Sequence, residues 1–422
     1  MKDKSRTTVT VSKLKNFSFI LFFSASLCRL VLGEILIRLG LYSIMQPILW
    51  FLIYAPLILA IFLEGRHKKR VPWLFLVILI LVAFYFLMSL LIHPSYLPWY
   101  TRETYGIWDT IFRLDNGGIY GFLFFAACTD EKELYKNIKA VGVFTFIFVV
   151  YQYLQFKSRG YWQDVNMYGE TVQTSYGLTF GYNAAFVAII FLSVFFYEKK
   201  KTALAISIAS MILMLLQGSR GSSLVILVFF MFLYIRKLFR EGSIKAIASV
   251  LAIGILALLI YDNLAGIITF IASVVSDKNL SSRTLNALIS NNFFDDSGRG
   301  AIKYIVEEQI NSGSFWGHGG FGDRPYIGPF YYWGYCHNII LEFQMDFGKY
   351  PGLILMILLI AMIVKKFIKV IQDNDEKFYI FVVMLSISFK LLLSGTFWGD
   401  KYFWGLLAIL LCWRTKKFKR PI

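Results

Sequence analysis

Cysteine is scarce in this 422-residue chain, and acidic residues are outnumbered. The four cysteines, Cys28, Cys128, Cys336 and Cys412, are scattered, with none at metal-ligand spacing. That supports neither a disulfide framework nor a zinc site. Charged residues make up only 16% of the chain, too few for the surface of a soluble protein of this length. No low-complexity segment, long internal repeat or appended soluble domain stands out.

What is abundant is apolar side chain. Hydrophobic residues reach 57% before the 31 glycines are added, and the mean hydropathy is +0.61. Soluble domains hold roughly 45–50% with glycine included, so part of the solvent of this chain is lipid. The reading is an all-α polytopic membrane protein forming one integral membrane domain over 1–422. Apolar stretches predict about twelve spans, with cores at 17–32, 41–63, 72–92, 109–128, 140–156, 176–197, 202–216, 222–235, 246–261, 339–364, 378–396 and 397–413. The basic stretch before the first span imitates a signal peptide. A second span follows almost at once, so the first reads as a retained anchor.

The charge balance is strongly positive, 43 Lys and Arg against 26 Asp and Glu, net +17. In a soluble protein that would point to nucleic acid. Here 28 of the 43 fall in seven short segments on one side of the predicted membrane: 1–16, 64–70, 130–139, 198–201, 236–245, 365–377 and 414–420. This is the positive-inside pattern, with both termini in the cytoplasm, and no nucleic-acid partner is needed to explain it.

One long extracytoplasmic loop, 262–338, breaks the pattern between about the ninth and tenth spans, and such a segment is usually functional. Its residues 302, 305, 306 and 310 recur at helical spacing, predicting an amphipathic helix with Arg299 in the first turn. Helix electrostatics would prefer an acid there, which leaves Arg299 either for an anion or for pairing with Asp295 or Asp296. Arg220, between glycines in Gly218-Ser219-Arg220-Gly221, has the same two faces: an interfacial anchor or an anion site where backbone amides and a guanidinium meet phosphate. The run from Trp316 to Arg324 formally contains G-x-G-x-x-G, but no strand precedes it. It reads as a flexible, close-packing loop rather than a dinucleotide site.

Tyr331, Tyr332, Trp333 and Tyr335 then form an aromatic cluster, either a membrane-interface belt or flat faces for sugar and acceptor contacts. His337 follows at a span entrance, and imidazole is the side chain poised near neutrality to take a proton from a hydroxyl. Glu342 is a candidate orienting acid. Arg29, Arg113 and Lys390 sit toward outer span ends. With Arg220, Arg299 and Arg324 they suggest a positive vestibule for a diphosphate, ordinary snorkelling being the alternative.

Several motifs occur in order: the Gly-Ser-Arg-Gly turn after a mid-chain span, Ser297-Gly298-Arg299 opening a helix, Trp316 to Gly322, and His337-Asn338-Ile339-Ile340-Leu341-Glu342. Together they resemble the bacterial O-antigen polymerase and O-antigen ligase family, over about 216–355. The resemblance implies a membrane glycosyltransferase of the GT-C-like type, working without a metal on the outer leaflet. It implies transfer of a glycan from undecaprenyl diphosphate to a sugar hydroxyl, with Arg220 and Arg299 on the diphosphate. His337 would be a base toward the acceptor or a diphosphate contact. The His-Asn-x-x-Leu-Glu run looks more like the polymerases, which build O-antigen or capsular polysaccharide, than the ligases, which transfer the glycan to a lipid A core. A chain-length regulator and a flippase would be further partners. A lipid-linked glycan flippase or transporter is the alternative of another class, and it predicts inverted repeats and a midplane site.

Overall fold

The computed structural model describes residues 2–64, 70–128, 130–174, 176–217, 220–241, 299–331, 334–373 and 375–413. The ninth predicted span and the first half of the long loop lie outside them. Among the described residues the chain is helical apart from one two-stranded hairpin, β1 (Trp162–Val165) with β2 (Thr171–Thr174).

The helices are, in order, α1 (Lys2–Phe23), α2 (Ala25–Arg38), α3 (Met45–Leu63), α4 (Arg70–Ile92), α5 (Leu97–Tyr100), α6 (Tyr120–Ala127), α7 (Glu131–Arg159), α8 (Leu178–Glu198), α9 (Lys201–Gln217) and α10 (Arg220–Glu241). After the undescribed stretch come α11 (Arg299–Ser312), α12 (Arg324–Ile327), α13 (Ile339–Phe347), α14 (Lys349–Val370), α15 (Asp375–Ser388) and α16 (Lys401–Cys412).

Among the described residues five helical segments are long and apolar enough to cross a bilayer: Tyr42–Leu63, Trp73–Ile92, Glu131–Arg159, Leu178–Glu198 and Gly221–Arg240. The α1–α2 pair, bent by 82°, adds a sixth if it is one broken span. Their outward faces carry apolar residues, such as Phe51 and Phe62 on α3 and Leu81 and Leu91 on α4, that water would not favour. These features fit an all-α membrane protein.

Besides the first, 17–32, which holds the α1–α2 bend, four predicted spans are not continuous helices. The stretch 109–128 is a π-helical turn, Trp108–Phe112, then an irregular passage, then the eight residues of α6. The charges that made it a poor span hold that passage: Arg113 pairs with Asp109 at 2.7 Å and with Asp115 at 3.1 Å. The stretch 339–364 is split by Gly348, whose φ of 99° ends α13 and starts α14. The last two predicted spans become α15, a 3-10 turn at Phe389–Leu392, an irregular 393–400 and the twelve residues of α16. A span needs about 20 helical residues, so α6, α13 and α16 are too short to cross alone.

The chain divides into two compact units: Met1–Phe148 with Val165–Val172 and Gly298–Ile422, and Val149–Asp164 with Gln173–Ser297. The second is built on α8, buried along most of its length against α9, with Ser207 Oγ donating to the Ala188 carbonyl at 3.0 Å. Trp162 stacks on Phe156 and leans on Phe180, closing one end of that unit. The first unit has a phenylalanine core from α1 and α6, in which Phe22 stacks on Phe124 at 4.5 Å and Phe19 meets Phe125 edge-on. Gly121 lets α6 approach the Lys401 carbonyl of α16 so closely that a side chain there would overlap it.

Candidate functional site

In the first unit α11 lays Ile302, Val306 and Ile310 against Ile327, Cys336 and Met345, with Ile305 half-buried beside them. This is the apolar face expected from the sequence, and Arg299 does open the helix. The acids Asp295 and Asp296 that were its expected partners lie outside the described residues.

The glycine-rich run beyond α11 wraps the end of α13. His318 and Gly319 amides donate to the carbonyls of Met345 and Asp346 at 2.8 and 3.0 Å. The His318 ring bridges the Gln309 carbonyl and the Tyr326 hydroxyl at 3.1 and 3.3 Å. The run is therefore close-packed, its glycines accommodating backbone contact rather than a nucleotide. Asn338 caps α13 by accepting from the Ile340 and Leu341 amides at 2.9 and 3.2 Å.

Two acids one turn apart on α13 are buried. Glu342 accepts from the Thr396 hydroxyl and from the Phe397 amide, the latter at 3.1 Å. Asp346 accepts from the Trp398 indole at 2.6 Å and from the Gly322 amide at 3.1 Å. Glu342 thus holds the irregular 393–400 passage, and no bond from it to His337 is found among the described residues. Both of its bonds go to that passage.

The centre of the site is the passage from Phe321 to Arg324 and the segment 334–337 that covers it. Arg324 is 1% exposed. Its Nη1 donates to the Gly334 carbonyl at 2.9 Å, and its guanidinium lies over the rings of Phe321 and Tyr335, 4.6 and 5.3 Å from their centres. Nε and Nη2 have no partner among the described residues. Asp323, equally buried, accepts from the Cys336 amide at 2.9 Å through Oδ2, while Oδ1 is likewise unpartnered.

His337 adopts a left-handed backbone, φ 55°, an uncommon conformation for a residue with a side chain. Its ring packs on Tyr335, 4.2 Å between centres, and its Nδ1 is buried without a partner. Burial, reinforced by the charges of Arg299 and Arg324, pushes the imidazole down to about 3, so it is neutral at physiological pH. A neutral ring nitrogen and two guanidinium nitrogens can together meet an oxyanion, and a carboxylate oxygen beside them can accept from a hydroxyl.

Of the residues expected at the site, His337, Arg299 and Arg324 come together. Arg220 opens α10 in the other unit, and Gly218 and Ser219 of its turn are outside the described residues. Tyr331 packs on the α11 core, Tyr335 is buried between His337 and Arg324, and Tyr332 and Trp333 are outside the described residues.

The wider vestibule needs correction. Arg29 and Arg113 both pair with Asp115, which also accepts from Gln46 at 2.8 Å, and Lys390 pairs with Asp400. Three cations expected to face a ligand are neutralised by acids of the chain itself. Asp323 was not anticipated, and the only sequence signal for it is an acid beside an arginine at the end of a glycine run. Among the described residues no three His, Cys, Asp or Glu side chains are grouped so as to hold a metal ion. No protein-family model, curated protein or solved structure matches the chain.

Proposed function

We propose that the chain is an inner-membrane glycosyltransferase that joins undecaprenyl-diphosphate-linked oligosaccharide repeat units into O-antigen or capsular polysaccharide on the outer leaflet. The observation that carries the reading is the cluster of Arg299, Arg324 and His337. It combines the charges of Arg299 and Arg324, the latter with Nε and Nη2 unpartnered among the described residues, and an imidazole kept neutral, with its Nδ1 likewise unpartnered.

Transfer from a lipid diphosphate asks little of a protein. The leaving group is already good, so the chain must meet its developing charge and remove one proton from the attacking hydroxyl. Arg299 and Arg324 suit the first task, and His337 touches the reacting groups either as the acceptor's base or as a diphosphate contact. The reading also carries the twelve-span, GT-C-like topology with both termini in the cytoplasm, supported by the one-sided distribution of 28 basic residues.

Deleting the gene and resolving the surface glycan on a gel tests the reading. Acceptor carrying one repeat unit is the expected result. Acceptor carrying none would make the chain a ligase instead, and an unchanged ladder would refute glycosyl transfer altogether. Arg220→Lys separates an anion ligand from a lipid anchor in the same strain. An ammonium cannot reproduce the two-pronged guanidinium contact, so chain extension should fall by about tenfold or more. A normal ladder in that variant would leave Arg220 as an anchor only.

A further inference from the structure

We propose that Asp323 is the catalytic base, its Oδ1 taking the proton from the acceptor sugar's hydroxyl. This rests on the glycosyl-transfer reading and assigns one of its steps.

Four polar atoms on three residues are buried without a partner among the described residues: Asp323 Oδ1, Arg324 Nε and Nη2, and His337 Nδ1. Two bonds tie Asp323 and Arg324 to the segment that carries His337, Cys336 amide to Asp323 Oδ2 and Arg324 Nη1 to the Gly334 carbonyl, both 2.9 Å. The Asp323 backbone is fixed as well, its carbonyl accepting from the Tyr326 and Ile327 amides at 3.2 and 3.0 Å. Held by Oδ2 and by its backbone, the side chain leaves one defined oxygen for a ligand.

The mixture of atoms limits what the ligand is. A phosphate alone would satisfy the arginine but would be repelled by the carboxylate. A neutral sugar alone would leave two charged donors buried and unmet, at a cost of kilocalories. A ligand pair that brings an anionic oxygen and a hydroxyl meets both kinds of atom. A glycosyl diphosphate and its acceptor hydroxyl are such a pair.

Between the two available bases the balance favours the carboxylate. His337 is buried beside two guanidinium groups and resists a further positive charge. Burial pushes the Asp323 carboxyl up, against the opposing pull of Arg324, which makes it the stronger base of the two. In the step, the hydroxyl proton moves to Oδ1 and the oxygen's electron pair forms the new bond to the anomeric carbon. The bond from that carbon to the diphosphate oxygen breaks, and its electron pair leaves with the lipid diphosphate. Arg324 and Arg299 meet the charge, and Asp323 later gives its proton to solvent.

The test uses full-length variants in the deletion strain, with membrane levels checked by blot and the host's own lipid-linked repeat unit as substrate. Asp323→Asn retains an oxygen for the Cys336 amide but cannot take the proton. It should lower chain extension at least 100-fold at normal membrane level, with Asp323→Glu partly active. An Asn variant keeping a tenth or more of the activity overturns the proposal.

If that variant does not accumulate, the rate of the wild-type protein in membrane vesicles against pH decides. The groups acting on Asp323 are Arg324 on α12 and Cys336 in the covering segment, and Asp323 is coupled in turn to Glu342 and Asp346 on α13. A base raised by burial predicts a rate that falls with acid above the usual carboxylate range, and a rate flat down to about pH 4 overturns the assignment. A deletion that leaves the glycan unchanged defeats the glycosyl-transfer reading. A deletion that shortens it, rescued fully by Asp323→Asn, defeats only the assignment of the base.

Discussion

His337→Ala should leave the acceptor glycan at one repeat unit while the protein remains in the membrane at its normal level. The ring does two things no alanine can: it offers a buried nitrogen without a partner, and it packs on Tyr335 beside Arg324. Removing one group that meets the developing charge costs on the order of 100- to 1,000-fold in rate. The cost in stability is far smaller. Alanine must adopt the same left-handed backbone, φ 55°, at about 1–2 kcal/mol, against the 5–15 kcal/mol that holds a typical domain folded. His337→Asn is the companion variant, because asparagine tolerates that conformation and still hydrogen-bonds. Its ladder should be intermediate. A normal chain-length distribution in His337→Ala would remove the histidine from the reaction.

The second large effect is structural and lies at Gly348→Ala. Gly348 has φ 99°, and a Cβ there would overlap the Phe315 carbonyl oxygen and press on the Gly317 amide. Backbone strain of about 1–3 kcal/mol and overpacking of about 1–3 kcal/mol add to roughly 2–6 kcal/mol, a large part of a domain's stability. The variant should accumulate poorly, and the purified protein should unfold at clearly lower temperature. Gly40→Ala is the control: its φ is 68°, but nothing lies within 4 Å of the added carbon. It should lose only the ~1–2 kcal/mol of left-handed strain. Equal losses at the two positions would mean that the contact between the glycine-rich run and the α13–α14 break contributes nothing.

The two glycines also mark the limit of what the sequence discloses. Periodicity found the buried face of α11 from Ile302, Val306 and Ile310, because the spacing of apolar residues on a helix is a local property. Hydropathy located α3, α4 and α7 to α10 for the same reason. It failed at 109–128, 339–364 and 378–413, where breaks are set by partners far along the chain: Asp115 for Arg29, Phe315 for Gly348, and Thr396 for Glu342. The site divides in the same way. His337, Arg299 and Arg324 stand out as residue types in unusual company. Asp323 gains its place only through the Cys336 amide, and Arg29 and Lys390 lose theirs to acids that no spacing rule connects to them, Arg113 to Asp115 and to Asp109 four residues before it.

The bonds of α13 also set an order of biosynthesis. Its two acids find their partners 54, 55 and 52 residues later, at Thr396, Phe397 and Trp398. A chain emerging from the ribosome therefore completes α13 well before the groups that satisfy Glu342 and Asp346 have been made. Until then both carboxyls must stay wet or protonated, since burying them unmet is costly. The glycine-rich run, bonded to the same helix, has its frame completed only when Trp398 donates to Asp346. A nascent chain stopped before Trp398 would carry every residue of the proposed reaction and still lack the frame that holds them together.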